Sequence, residues 1–199
     1  MPSSSRAPAS AAASAAASLP ASVPISTPTP ATESFSSATF AVPLSLSLVG
    51  GWMVQGDQVS DIDLQNGDQD AGILSISSTT VAGATSSDPP LAWPADLHAW
   101  LASRPEFKLQ APRAVTVGGR PAMQIDADAS VPNGTHIELV CAEPRHSCFL
   151  LDHNDRWRFV EVKNSDGSGI VVVTNGIPAP GFDAYAQALD QLLTTLTFR

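Results

Sequence analysis

From residue 113 to residue 176 the chain repeats one pattern, a short run of alternating or β-branched apolar residues closed by a Gly, Asn or Asp signal. "RAVTVGGRPAMQIDADA", "THIELVCAE", "SCFLLDH", "RWRFVEVK" and "SGIVVVTNG" follow one another too closely for helices to intervene. Side chains alternate between the two faces of a strand, so each run buries one face and asks for a partner strand beside it. Gly118-Gly119, Asn154-Asp155 and Asp166-Gly167 mark the turns, and the spacing predicts an antiparallel meander. This stretch limits the fold more than any other feature of the chain.

Upstream, "TFAVPLSLSLVGGWMV" reads as a first strand with a turn at Gly50-Gly51, and "VSDIDLQNGDQDAGILSISS" as a hairpin around Asn66-Gly67. Trp93-Pro94 then places a proline at a helix start, with Asp96 in the first turn and Leu97, Trp100 and Leu101 at i, i+3 and i+4. Arg104-Pro105 ends that helix. A second helix is expected over "GFDAYAQALDQLLTTLTF", where Phe182, Tyr185, Leu189, Leu192 and Leu196 form one apolar stripe and Asp183 complements the N-terminal dipole. Grouped strands with two helices define the α+β class, an antiparallel sheet with helices packed on its faces.

Residues 1–38 are a different material, built almost wholly from Ala, Ser, Pro and Thr, with Arg6 and Glu33 the only charges. Such a segment lacks the apolar side chains that offset the entropy of ordering, so it reads as a disordered linker ahead of a single domain at 39–199. It contains neither a signal peptide nor an apolar stretch of membrane-spanning length. Its composition is that of a tether between a membrane anchor and an extracytoplasmic domain, so a signal or lipid-anchor segment upstream of Met1 is expected. Membrane attachment is expected only through such an anchor. The formal net charge is -9 and no basic stripe is present, which argues against nucleic acid as a partner.

The segments "FAVPLSLSL" with "GW" after it, "DLHAWLASRPEF", "VTVGGRPAMQID" and the closing "WRFVEV", "GIVVVTNG" and "FDAYAQALDQLLTTLTF" together resemble the PsbP/Mog1 type of domain. They are most similar to those of secreted or lipid-anchored bacterial members. The resemblance spans most of residues 39–199 and implies an α/β sandwich that serves as a non-enzymatic binding or assembly domain. No ligand or partner residue of that family maps onto a position here. A protein partner and no cofactor are therefore expected.

Two clusters are candidates for chemistry. "HIELVCAEPRHSCFLLDH" holds both cysteines and three of the four histidines. Pairing Cys141 with Cys148 across a simple hairpin sets Val140 opposite Phe149, Glu138 opposite Leu151 and His136 opposite His153. Alternation then puts the cysteines and the His136/His153 pair on opposite faces, so they do not converge on one tetrahedral ion. A structural disulfide between Cys141 and Cys148 is expected, suited to an oxidising compartment. Reduced buried thiols, or a metal or redox centre, are the alternatives. The second cluster, "DQVSDIDLQNGDQD", contains Asp57, Asp61, Asp63, Asp68 and Asp70 without a basic residue. A turn at Asn66-Gly67 would face Asp63 with Asp70, a like-charge pair that is tolerated when solvated or bridged by a cation. His136, His153, Asp63 and Asp70 are thus the minor metal candidates, against the plainer readings of half-exposed histidines and a solvated acidic hairpin. The glycine and acid positions of an EF-hand loop are not met.

Nucleophile-elbow, zincin-helix and phosphate-loop motifs are missing from the sequence. Trp52, Trp93, Trp100 and Trp157 read as core and helix-packing residues, and Asn133-Gly134-Thr135 as a polar turn. The sequence thus reads as a binding domain of an exported or cell-envelope protein. An enzyme or a metal-dependent ligand carrier with an unrecognised cleft is the alternative.

Overall fold

A computed structural model describes residues 33–85, 88–143, 148–176 and 181–199. In chain order the strands up to the first helix are β1 (Glu33–Ser36), β2 (Leu44–Leu48), β3 (Met53–Asp57), β4 (Asp61–Asn66), β5 (Gln69–Ser75), β6 (Thr79–Val81) and β7 (Leu91–Ala92). Helix α1 (Leu97–Ala102) is followed by β8 (Phe107–Leu109), β9 (Arg113–Val117), β10 (Arg120–Ala129), β11 (Ile137–Ala142) and β12 (Cys148–Leu151). The chain then forms β13 (Arg156–Lys163), β14 (Gly169–Gly176), α2 (Gly181–Thr194) and β15 (Thr197–Phe198).

The strands form three antiparallel sheets rather than one. The central sheet runs β3-β4-β5-β14-β13-β10-β8, with β9 also on β10. β14 lies in its middle, and its "GIVVVT" run is buried on both faces. This explains why that run does not alternate. On one face, Leu44 and Leu46 of β2 and Tyr185, Leu189 and Leu192 of α2 pack over Ile62, Ile73, Val160 and Val172. On the other face, Val81, Leu139, Val140 and Leu151 pack with α1 residues Leu97 and Leu101 over Leu74, Ile125, Phe159 and Val171. Each face is therefore covered by a small sheet as well as a helix: β1-β2-β15 on the first, β12-β11-β6-β7 on the second. The expected sheet with helices alone on its faces gives way to a mostly antiparallel β domain with two helices.

Three local differences have physical causes. The meander breaks because both edges of β13 are taken, by β10 and β14, so β12 cannot pair with it and the β11–β12 hairpin joins β6 instead. In the acidic hairpin Asn66 pairs with Gln69, which moves the turn to Gly67-Asp68. The Asn66 amide donates to the Gly50 carbonyl at 3.0 Å and is thereby held in the strand. At the C-terminal end α2 stops at Thr194, whose hydroxyl donates to the Gln191 carbonyl, and Thr197–Phe198 pairs with β2. Leu196 is buried as its place in the apolar stripe predicts, but from beyond the helix.

Helix α2 starts at Gly181 as its sequence signal predicts, whereas α1 starts later than expected. Asp96 is the N-cap of α1, its carboxylate accepting from the Ala99 amide at 2.9 Å, so Pro94 lies two residues before the cap rather than at the first helical position. β1 falls inside the segment read as linker, where Phe35 faces Leu46 across the β1–β2 ladder. All four tryptophans pack against the core. Trp52 donates to the Ala188 carbonyl of α2 at 3.3 Å and Trp93 to Glu161 at 2.8 Å, while Trp157 is stacked on Phe159. Asn133-Gly134-Thr135 is a turn, with Gly134 at φ 84° and the Thr135 amide bonded to the Pro132 carbonyl.

Candidate functional site: the β11–β12 hairpin and its two clefts

Cys141 and Cys148 face each other and are joined by a disulfide with a Cα–Cα separation of 4.1 Å. The register at the cysteine end is the one read from the sequence, with Val140 opposite Phe149. Beyond it the ladder slips by one residue, setting Glu138 opposite Leu150 and Ile137 opposite Leu151. Leu139 is the extra residue of this β-bulge. Strict alternation would expose Leu139 on the cysteine face; the bulge lets Leu139 and Val140 both be buried. Leu150, the residue expected opposite Leu139, is left 42% exposed.

The slip separates the two histidines that the sequence set opposite one another. His136 instead meets the Asp152 carboxylate through Nδ1 at an exposed position. The His153 Nδ1 hydrogen-bonds the Val131 carbonyl. Neither histidine faces the other across the ladder. His146 falls outside the described residues.

The bulge also carries Glu138 from the core face to the disulfide face. One Glu138 carboxylate oxygen and the two cysteine sulfurs lie within 4.8 Å of one another. While the sulfurs are bonded to each other they offer no thiolate, so the oxidised hairpin is a staple. Thr80, opposite Cys141 on β6, donates to Glu143 at 3.3 Å on the same side of the sheet. This side opens into a cleft of about 320 Å³ bordered by Gly83, Asp88, His136, Glu138 and Cys141.

A second cleft of about 420 Å³ lies on the other flank of the hairpin, bordered by Gln55, Asp63, Asp70, Cys148, Asp152 and Asn175. The slipped turn places Asp70 opposite Gln65 and Asp63 opposite Gly72, so the expected Asp63/Asp70 cross-strand pair does not form. Both carboxylates still border this cleft, diagonally placed. Phe149 closes its floor by lying on Gly72, where a Cβ would come within 2.8 Å of the ring. Asn175 braces the rim by donating to the Leu150 carbonyl at 2.7 Å and to Asp155 at 3.1 Å. Burial raises the Asp155 pKa despite those bonds.

The expected solvated acidic hairpin is only partly solvated. Asp57 accepts from the Ser37 hydroxyl at 2.6 Å and the Ala38 amide at 3.1 Å, tying the loop after β1 to the edge of the central sheet. Asp61 is fully buried, with one oxygen accepting from Ser60 and the other lacking a hydrogen-bond partner among the described residues. Asp68 and Asp70 are exposed.

One charged cluster outside this region escaped the sequence reading altogether. Beneath α2, Arg158 donates to both oxygens of Asp126 at 2.7 and 2.9 Å and to Asp190 at 2.9 and 3.0 Å. Gln124 and Arg113 add to Asp126 from the neighbouring strand positions. Burial by itself would raise the Asp126 pKa, but the Arg158 hydrogen bonds and charge, with Gln124 and Arg113, hold it below the ordinary carboxylate value. The sequence signal was an Asp on one strand and an Arg on another, a pattern that pairs charges only once the register is known.

The fold and the site together define a mostly antiparallel β domain with an oxidised, bulged hairpin set between two open polar clefts. No protein-family model and no curated protein matches the chain. Among the solved structures similar to it are two from bacteria. One is the solution structure of cyanobacterial PsbP from Synechocystis, at 12% identity and TM-score 0.44, covering 90% of this chain and 99% of that one. The other is the crystal structure of LpqN from Mycobacterium tuberculosis, described as involved in cell envelope biogenesis, at 15% identity and TM-score 0.45, covering 84% of this chain and 91% of that one.

Proposed function

We propose that this protein is a non-catalytic binding domain held outside the cytoplasm, and that the cleft between Asp70 and Asp152 receives a basic segment of a protein partner. The observation that carries this reading is the concentration of carboxylates on one rim. Asp63, Asp70 and Asp152 border a single open cleft, the exposed Leu150 also lines it, and the described border contains no Lys or Arg. Charge of one sign focused in a concavity raises the local concentration of a complementary partner and sets its orientation. An exposed leucine beside such a rim supplies the apolar contact that charge alone does not. The extracytoplasmic placement is supported by the Cys141–Cys148 bond, a chemistry that persists in oxidising compartments.

The test is affinity capture from the native cell with the wild-type domain and with an Asp70→Lys/Asp152→Lys variant. The proposal predicts a stoichiometric partner retained by the first, lost from the second and released by salt. A partner held equally by both proteins would place the binding surface elsewhere. Reproducible recovery of none would count against the binding reading.

A further inference from the structure

We infer that the disulfide face of the β11–β12 hairpin is a reduction-gated site for a thiophilic divalent cation of the zinc class, with Cys141, Cys148 and Glu138 as ligands. The donors are already gathered, because the carboxylate oxygen and the two sulfurs lie within 4.8 Å of one another. Two thiolates on a tetrahedral zinc, each about 2.3 Å from it, stand about 3.8 Å apart, a separation that rotating the cysteine side chains away from the bonded position supplies. A regular hairpin would have sent Glu138 to the core face. The Leu139 bulge turns it outward onto the sulfurs, as bulges that re-aim a side chain at a site do. Glu138 and Cys141 both border the 320 Å³ cleft, which gives the ion an entry path and a place for water as a fourth ligand.

The chemistry balances in two steps. A dithiol transfers two electrons and two protons to the Cys141–Cys148 bond, breaking it to two thiols while its own sulfurs become a disulfide. The incoming dication then displaces both thiol protons to solvent and takes two thiolates and the Glu138 carboxylate. Two thiolates with a hard carboxylate suit a borderline dication. Binding displaces protons from the ligands, and an occupied site resists re-oxidation because its sulfurs are held apart. The inference stands independently of the acidic cleft on the other flank.

The experiment is titration of the full chain with Cd²⁺ after reduction by a phosphine that is removed anaerobically before the metal is added. It is read by the thiolate-to-metal charge-transfer absorption, with near-UV circular dichroism reporting the fold. Reduced wild type should take up one equivalent and the oxidised protein none. Glu138→Gln should keep the band but weaken binding by about tenfold or more, and Cys148→Ser should abolish it. If reduction loosens the hairpin, addition of Cd²⁺ should restore the near-UV signal. Equal binding by oxidised and reduced protein, undiminished affinity in Glu138→Gln, or a near-UV signal that the metal does not restore would each overturn the assignment.

Discussion

Replacing Arg158 by Met removes the cation from the ion pair under α2 while keeping most of the side-chain volume. The carboxylate it leaves behind is almost wholly enclosed, since the Asp126 side chain is 8% exposed. Stripping one member from a buried pair costs about 3–5 kcal/mol, because the survivor is desolvated and unpaired. Asp190 adds little, since its side chain is 49% exposed and a pair so open to water contributes about 0–1 kcal/mol. Arg113 offsets part of the loss, because it reaches Asp126 at 3.3 Å from a half-exposed position. The expected destabilisation is about 3–4 kcal/mol at neutral pH.

The sign of the pH dependence follows from the same geometry. In the wild type the folded Asp126 pKa lies below the ordinary aspartate value. The pair therefore stabilises the fold above that value, and the stabilisation is lost as pH falls through the folded pKa. In the variant Asp126 keeps its burial but loses Arg158, so its pKa rises and protonation relieves the strain earlier. Urea unfolding of both proteins at a series of pH values should show a gap that is largest near neutrality and narrows in acid. A neutral-pH cost below about 1 kcal/mol, the range of a surface pair, or a gap that stays constant down to the acid limb, would refute the reasoning.

Other outcomes follow from single contacts. Cys141→Ser/Cys148→Ser should lower stability by roughly 2 kcal/mol under oxidising conditions, the chain-entropy value for so short a loop, with no difference from wild type once both are reduced. Gly72→Ala should destabilise the domain, since its Cβ meets the Phe149 ring at 2.8 Å; hydrogen exchange should rise first in β11 and β12. Gly118→Ala combines φ 57° with a Cβ 2.8 Å from Phe198, and should loosen β15 in the same assay. Asp96→Ala should cost about 1 kcal/mol through loss of the α1 cap, measured by urea unfolding.

Much of the chain's organisation was legible because it depends on neighbours in sequence. The apolar run of β14, the stripe of α2, the Gly118-Gly119 turn and the Cys141/Cys148 register all rest on local periodicity or turn chemistry. The family resemblance, carried by the same segments, added an order of elements but no site residue. The candidate site was legible only in part. Its cysteines, Asp63, Asp70 and His136 stood out by residue type, while Glu138 and Asp152 did not.

The sequence by itself determined the longer strands and the positions of both helices, which of their faces are apolar, and that two cysteines seven residues apart can meet across a hairpin. Only the tertiary structure decided which strands become neighbours, because edge occupancy is a property of the whole sheet: β13 was already flanked by β10 and β14, and β11–β12 had to pair with β6. It also decided the one-residue slip at Leu139, where burying two adjacent apolar side chains outweighed regular pairing. That slip sent His136 to Asp152 and Glu138 to the disulfide, so the chemistry available at the hairpin was set by packing rather than by spacing.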